Sequence, residues 1–364
     1  MPPLPFLQIG QHLARYPIIQ GGMGIRISGA HLAAAVANAG GVGVISAIAL
    51  GLNSPYFDIT QPSLGKRREQ FFAANRLALI DEVQTARTLS PDGILGVNVM
   101  VAAQDYETLV RTAAEQGVNL IISGAGLPLQ LPGYTADYPG VALVPIVSST
   151  RAARVICRKW ERQYGRLPDA FVVENPNLAG GHLGAKLEEL GDRVFDADQV
   201  IPDLVAYLQQ EIGQPIPIIA AGGVWDRADI DQMLALGASG VQIGTRFITT
   251  DECDADIRYK EFHLHAQPED VVIIASPVGM PGRALRNAFV EKVIAGSPEL
   301  EKRCLLNCLH ACKCRDEQQA FCIVQALDKA ARGDIDNGLV FSGHHVGRVD
   351  RIIPVADLMA ALVA

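Results

Sequence analysis

Charge and aromatic side chains are both scarce in this chain of 364 residues: Asp, Glu, Lys and Arg together make up 19%, and Phe, Trp and Tyr 6%. Low charge excludes a disordered, solvated chain, whose composition runs the other way. Positive charge is the scarcer sign, 31 Lys and Arg against 39 Asp and Glu, and the net charge of -8 argues against a polyanion partner such as nucleic acid. No apolar run reaches the about 18 residues that would span a bilayer. The start Met1-Pro-Pro-Leu-Pro5 lacks the basic and apolar regions of a secretory signal. A soluble, cytoplasmic protein with no membrane partner is expected. Seven cysteines, an odd number crowded toward the C-terminus, do not form the even framework of a secreted disulfide fold.

Small and apolar residues are abundant. Hydrophobic residues at 49% and 35 glycines suit buried parallel strands joined by tight turns. Eight short apolar runs end in or beside Gly, Ser or Asn: Tyr16–Gln20, Gly43–Ser46, Ile94–Met100, Leu120–Ser123, Ala142–Ser148, Ala170–Glu174, Ile216–Ala220 and Gly240–Ile243. Helix-like segments lie between them, among them Gly29–Ala39, Phe71–Leu89, Asp105–Gln116, Ser149–Tyr164, Pro202–Glu211 and Asp226–Gly237. Eight alternations make an α/β fold of the TIM (β/α)8 barrel type the economical expectation, with a doubly wound open sheet as its rival. Residues 1–249 and 318–364 are assigned to the barrel, the tail supplying its last helix, and 250–317 to an inserted smaller helical lid. Gly51–Arg68, with the basic run Lys66-Arg67-Arg68, reads as a long loop that is either a lid or a solvated insertion.

In such barrels chemistry gathers at the carboxyl ends of the strands, and here those ends are rich in glycine. Main-chain amides at Gly222, Gly223, Gly244 and Thr245 fall after the seventh and eighth strands, where a phosphate can approach the backbone closely. Further glycines follow the first, fourth and sixth strands, and Asn98 ends the third. A flat heteroaromatic ring lying on main chain needs small residues beneath it, and an amide side chain can bond its polar edge. The pattern suits a flavin mononucleotide, against the reading in which each glycine only makes a tight turn.

Taken together, Pro17-Ile-Ile-Gln-Gly-Gly-Met-Gly24, Gly96-Val-Asn98, Ser123-Gly-Ala-Gly-Leu-Pro128, Ala179-Gly-Gly-His182, Ala220-Ala-Gly-Gly223, Gly244-Thr-Arg-Phe247 and Gly338-Leu-Val-Phe-Ser-Gly343 resemble the nitronate monooxygenase (2-nitropropane dioxygenase) family, which includes similar flavin-dependent enoyl-ACP reductases. The resemblance implies a barrel that binds FMN non-covalently under a smaller lid. It places Gly22, Met23 and Gly24 on the isoalloxazine, Asn98 at its pyrimidine edge, Gly180 and Gly181 beside the ring, and Gly222, Gly223, Gly244 and Thr245 on the phosphate. His182 is then the catalytic acid or base, a role an imidazole that titrates near neutrality can fill. Many family members carry a carboxylate directly before this Gly-Gly-His; here Glu174 lies further upstream, and binding a ribityl hydroxyl, binding a cation or capping the strand all stand open for it.

The reaction expected from the resemblance is oxidation of alkyl nitronates with dioxygen, acting on a small-molecule substrate. NAD(P)H-dependent reduction of an enoyl-thioester or other acceptor is the alternative, and Arg67, Arg68, Arg283 and Arg286 are its candidates for a basic rim facing an acyl carrier. Outside flavin chemistry the rival is a phosphate-sugar or inosine-phosphate-dehydrogenase-like barrel, but no strand-end lysine, carboxylate or cysteine nucleophile stands out on the first six strands. Monomer and homodimer are both open.

The cysteines form a separate motif. Cys304, Cys308, Cys312 and Cys314, followed by Cys322, are candidate ligands of zinc or an iron–sulfur cluster, although the spacing fits neither pattern. Reduced or redox-labile thiols are the other reading. On a helix, Cys304, Cys308 and Cys312 would share one face. His310, His344 and His345 are either further ligands or exposed loop residues.

Overall fold

A computed structural model describes residues 2–300, 302–318 and 320–364; Met1, Glu301 and Gln319, in the expected barrel, lid and tail segments, lie outside the described residues. The chain opens with an antiparallel hairpin, β1 (Leu7–Ile9) and β2 (His12–Ala14). Then follow β3 (Ile18–Gln20), β4 (Val42–Ser46), β5 (Ile94–Met100), β6 (Leu120–Gly124), β7 (Ala142–Val147), β8 (Phe171–Glu174), β9 (Gly181–His182), β10 (Ile218–Ala221), β11 (Gly240–Ile243), β12 (Val271–Ala275) and β13 (Pro281–Leu285). Eight of these, β3 to β8 with β10 and β11, pair in parallel as a closed barrel. Val241 of β11 lies opposite Ile18 of β3, the pairing that joins last strand to first and excludes the open sheet.

Alternation explains the two cores. Ile19, Val44, Leu120, Ile122, Val144, Val172 and Ile219 fill the barrel interior, while their sequence neighbours Ile18, Ile45, Ile121, Leu143, Phe171 and Ile218 pack beneath the helices. Leu7 and Ile9 of the hairpin join the interior cluster, and Leu7 lies close to Gly240, the first residue of β11. The hairpin therefore plugs the amino-terminal end and leaves the opposite mouth open.

The helices start where their caps dictate. Ser149 accepts from Ala152 N ahead of Thr150–Tyr164, and Gly165 ends that helix in the left-handed region (φ 61). Asp226 and Asp229 form a reciprocal capping box at Arg227–Ala235. Val355–Val363 packs against both Ala30–Asn38 and Arg227–Ala235, the place of a last barrel helix. Among the described residues no helix is long and apolar enough to cross a membrane.

Three expectations change. The loop Gly51–Arg68 is partly helical: a short turn covers Leu50–Asn53, and the helix Leu64–Leu89 begins early enough to carry the whole basic run. The segment 250–317 is not purely helical, since β12 and β13 form an antiparallel sheet that takes β9 as its third strand. The stretch between Cys304 and Cys312 is not a helix; Asn307 turns into the left-handed region (φ 49), and Leu309 bridges to Ala103.

Gly43 shows how closely helix and strand approach. A Cβ there would overlap the main chain of Ala33 in the helix Ala30–Asn38. Gly43→Ala is expected to destabilise the fold by about 2–3 kcal/mol, read as a lowered urea midpoint at unchanged slope.

Candidate active site

Two residues beyond the inward-facing core, each strand delivers a side chain or a bare Cα to the open mouth. Gly21, Ser46, Asn98, Gly124, Ile146, Glu174, Ala221 and Gln242 arrive in this way, and all line one cavity of about 690 Å³. The loops after the strands complete it. Gly22, Met23, Gly24, Gly180, Gly181, His182, Gly222, Gly223, Gly244 and Thr245 also line the cavity, so the structure brings every candidate for holding the flavin, and His182, to one place.

Gly180 is glycine because a Cβ would come within 2.6 Å of Gly343 N and Ser342 C. That contact presses the loop before His182 onto the segment Phe341–His345. The segment is fixed in turn by Gly343 N donating to Thr245 Oγ1 (2.8 Å) and His344 N donating to Leu178 O (3.0 Å). Gly222 and Gly223 have φ of 90° and 84°, a left-handed turn that side chains resist.

His182 reaches the cavity by leaving the barrel. As half of β9 it pairs with Gly282 of β13. Its ring lies edge-to-face on Phe341, centroids 5.0 Å apart, and Nε2 is 2.8 Å from Ser276 Oγ. Nδ1 has no protein partner among the described residues. Burial pushes the imidazole pKa down to about 4, so the ring is neutral at pH 7.

Arg283 anchors the same region. It is buried on β13 opposite Gly181, and its guanidinium donates to Pro176 O (3.2 Å), Asn177 O (3.0 Å) and Ala179 O. Burial lowers its pKa to about 10, opposed by attraction to Glu174, so it stays charged. Burial raises Glu174 to about 7 against the opposing pull of Arg283.

A family model described as nitronate monooxygenase matches residues 7–364. The chain belongs to the nitronate monooxygenase family. It is 27% identical over 294 residues to a probable nitronate monooxygenase of Staphylococcus saprophyticus, covering 77% of this chain and 78% of that protein. It is 29% identical over 282 residues to a 5-hydroxy-7a-methyl-1-oxo-octahydro-1H-indene-4-carboxyl-CoA dehydrogenase of Mycobacterium tuberculosis, covering 78% of this chain and 66% of that longer relative. Among solved structures, FabK from Thermotoga maritima superposes with a TM-score of 0.71 at 26% identity, covering 96% of this chain and 92% of that one. A nitroalkane oxidase from Streptomyces ansochromogenes (TM-score 0.68, 19% identity) shares the fold. With these relatives the chain is an oxidoreductase.

Within this nitronate monooxygenase family member, several lining residues escaped the sequence reading. Ser46, Ile146 and Gln242 follow from counting by twos along the strands. Phe341, Ser342, His344 and His345 lie in or next to a quoted motif, yet their place at the cavity depends on the fold. His344 and His345 are cavity residues, not partners of the cysteines. The basic rim does not form as expected, because Arg67 and Arg283 are both buried; Arg67 donates to Leu305 O and Gln61 O. The five C-terminal cysteines line a second cavity of only about 10 Å³. All are free thiols, and among the described residues no three Cys, His, Asp or Glu are arranged to hold a metal ion.

Glu174 gives a pH signature. Between its ordinary value of 4.5 and about 7 the folded state binds the proton that the unfolded state has released. The contribution to stability is therefore complete below pH 4.5 and is lost as pH rises through 7. Glu174→Gln is expected to remove up to about 3 kcal/mol of this pH dependence, seen as a flatter curve in urea unfolding from pH 4.5 to 7.5.

Proposed function

We propose that the chain is an FMN-dependent oxidoreductase that oxidises alkyl nitronates with dioxygen, with residues 250–317 contributing the lid of the site. The observation that carries this reading is the convergence on one cavity of glycine-lined strand ends, the Asn98 amide and a neutral imidazole. The residues present fit the cofactor. The cavity has the size of a small-molecule site. A Cβ at Gly244 would meet nothing nearer than 3.6 Å, so the backbone there is open to a ligand. Gln242 Oε1, Ser342 Oγ and His345 Nδ1, all on lining residues, are buried without a protein partner among the described residues.

When bound, FMN supplies a reversible two-electron acceptor. Gly222, Gly223, Gly244 and Thr245 would hold its phosphate through main-chain N–H groups. The Arg246 guanidinium, held by Trp225 O at this end of the cavity, complements that charge. Asn98 would bond the pyrimidine edge of the ring, with Gly22, Met23, Gly24, Gly180 and Gly181 as its bed. His182, tethered at Nε2 by Ser276, has Nδ1 free to take the α-proton of a nitroalkane or to orient a nitronate. Phe341 packs on the imidazole edge and keeps that side dry.

A second reading is favoured by the likeness to FabK: a nicotinamide reduces the flavin, and His182 delivers a proton to the acceptor. One experiment separates the two. FMN-loaded protein is mixed anaerobically with an alkyl nitronate or with NAD(P)H, and flavin absorbance is followed. Rapid bleaching by nitronate is the expected result, bleaching by NAD(P)H alone moves the assignment to the reductase, and no bleaching by either overturns both. His182→Asn is expected to retain FMN while slowing bleaching by about a hundredfold. Because the ring stays neutral to about pH 4, the acid limb of kcat/KM assigned to His182 is expected well below pH 6.

A further inference from the structure

The C-terminal cysteines take no part in the site above, yet the fold gathers all five around one small void. The loop that carries them is fixed without any of the thiols. Gln104 N donates to Cys308 O (2.9 Å), His310 N donates to Ala102 O (2.9 Å), and the Arg315 guanidinium donates to Asn307 Oδ1 (2.6 Å), Leu309 O (2.6 Å) and His310 O (2.9 Å). A metal is thus not needed to shape this loop. What demands explanation is why the sulfurs are kept free and close together.

Two of them are placed unlike the rest. Cys314 is buried in the short helix Lys313–Asp316 and lines the same void as Cys322. Cys322 is half-buried and occupies the position before the nine-residue helix Ile323–Ala331. Its partial exposure gives a small oxidant access, and the neighbouring thiol is in place to react next.

We propose that Cys322 and Cys314 are a redox-active pair that a hydroperoxide converts to an intramolecular disulfide. The Cys322 thiolate attacks one peroxide oxygen, the O–O bond breaks, and the alcohol or water leaves with a proton, giving Cys322 sulfenic acid. The Cys314 sulfur then attacks the Cys322 sulfur; the S–S bond forms, the S–O bond breaks, and water leaves with the Cys314 proton. Two thiols and one hydroperoxide become one disulfide, one alcohol or water and one further water, the two electrons passing from sulfur to peroxide oxygen. The electrostatics agree in direction. The Cys314 thiol, with the Gln325 and Val324 amides, holds Cys322 below the ordinary thiol range, whereas Cys314 itself, Cys308 and Cys312 are pushed above it. Leu309 and Ile323 line both the thiol void and the large cavity, so the pair lies one side chain behind the substrate site.

The test uses reduced, full-length protein treated with a small excess of hydrogen peroxide, digested after alkylation and mapped by mass spectrometry. The expected product is a peptide pair joined through Cys314 and Cys322 and released by a thiol reductant. Cys314→Ser should lose this cross-link and accumulate a sulfenic acid at Cys322 that a dimedone probe captures, while Cys304→Ser should keep it at the wild-type level. The proposal is overturned if the wild-type cross-link joins other cysteines or does not form. It is also overturned if anaerobically purified wild-type protein carries zinc or iron at one equivalent or more and releases it with the thiols. The wild-type map and metal content need no variant to fold.

Discussion

Arg283 carries its charge into the interior, and the loop ahead of His182 turns three carbonyls, those of Pro176, Asn177 and Ala179, inward to meet it. An unpaired buried guanidinium would be strongly unfavourable, so the carbonyls and the charge fix one another. Because Arg283 lies on β13 opposite Gly181, the same strand that supplies the cation also supplies the hydrogen-bonding edge for Gly181 and His182. Remove the cation and those carbonyls lose a charged donor; remove the strand edge and His182 loses the Gly282 pairing. The position of the candidate catalytic ring thus rests on an interaction between the lid sheet and the sixth barrel loop.

The electrostatic character of the cavity follows from the same burial. His182 is held neutral and Glu174 keeps its proton up to about pH 7, both because the charged form has lost its water. Arg283 stays charged nearby, its charge spent on main-chain carbonyls. Buried His182 and Glu174 thus add no formal charge to the cavity at or below about pH 7, while Arg246, held by Trp225 O, adds a positive one beside the glycine turns. Such a distribution suits the proposed ligand, with an anionic tail and a flat, largely neutral head.

Much of this was legible in the residues. The eight barrel strands are short runs of branched apolar residues bounded by glycine, and burial on both faces leaves such runs few alternatives to a parallel sheet. The glycines at the strand ends were readable as a set because main chain exposed at several ends of one barrel must face one mouth. The run Val271–Ala275 was missed as a strand because it lies outside the barrel count and its partner, β13, has a glycine and an arginine in its middle. The spacing of Cys304, Cys308 and Cys312 permits a helical face but does not require a helix; the docking of Leu309 on Ala103 and the fork of Arg315 impose a turn instead. A rim of arginines could not be judged from sequence, since whether Arg67 and Arg283 face water or carbonyls depends on segments distant in the chain.

By itself, then, the sequence determined the barrel, its glycine-lined mouth and the candidates gathered there, because period-two burial and bare main chain are local properties that each strand carries in its own residues. Only the tertiary structure decided that His182 leaves the barrel to join β13, that Phe341 and Ser276 hold its ring, that Arg283 is an internal clamp and that Cys314 and Cys322 line one void. Each of these contacts joins residues whose meeting is set by how separate segments pack, and no pattern within either segment encodes its partner.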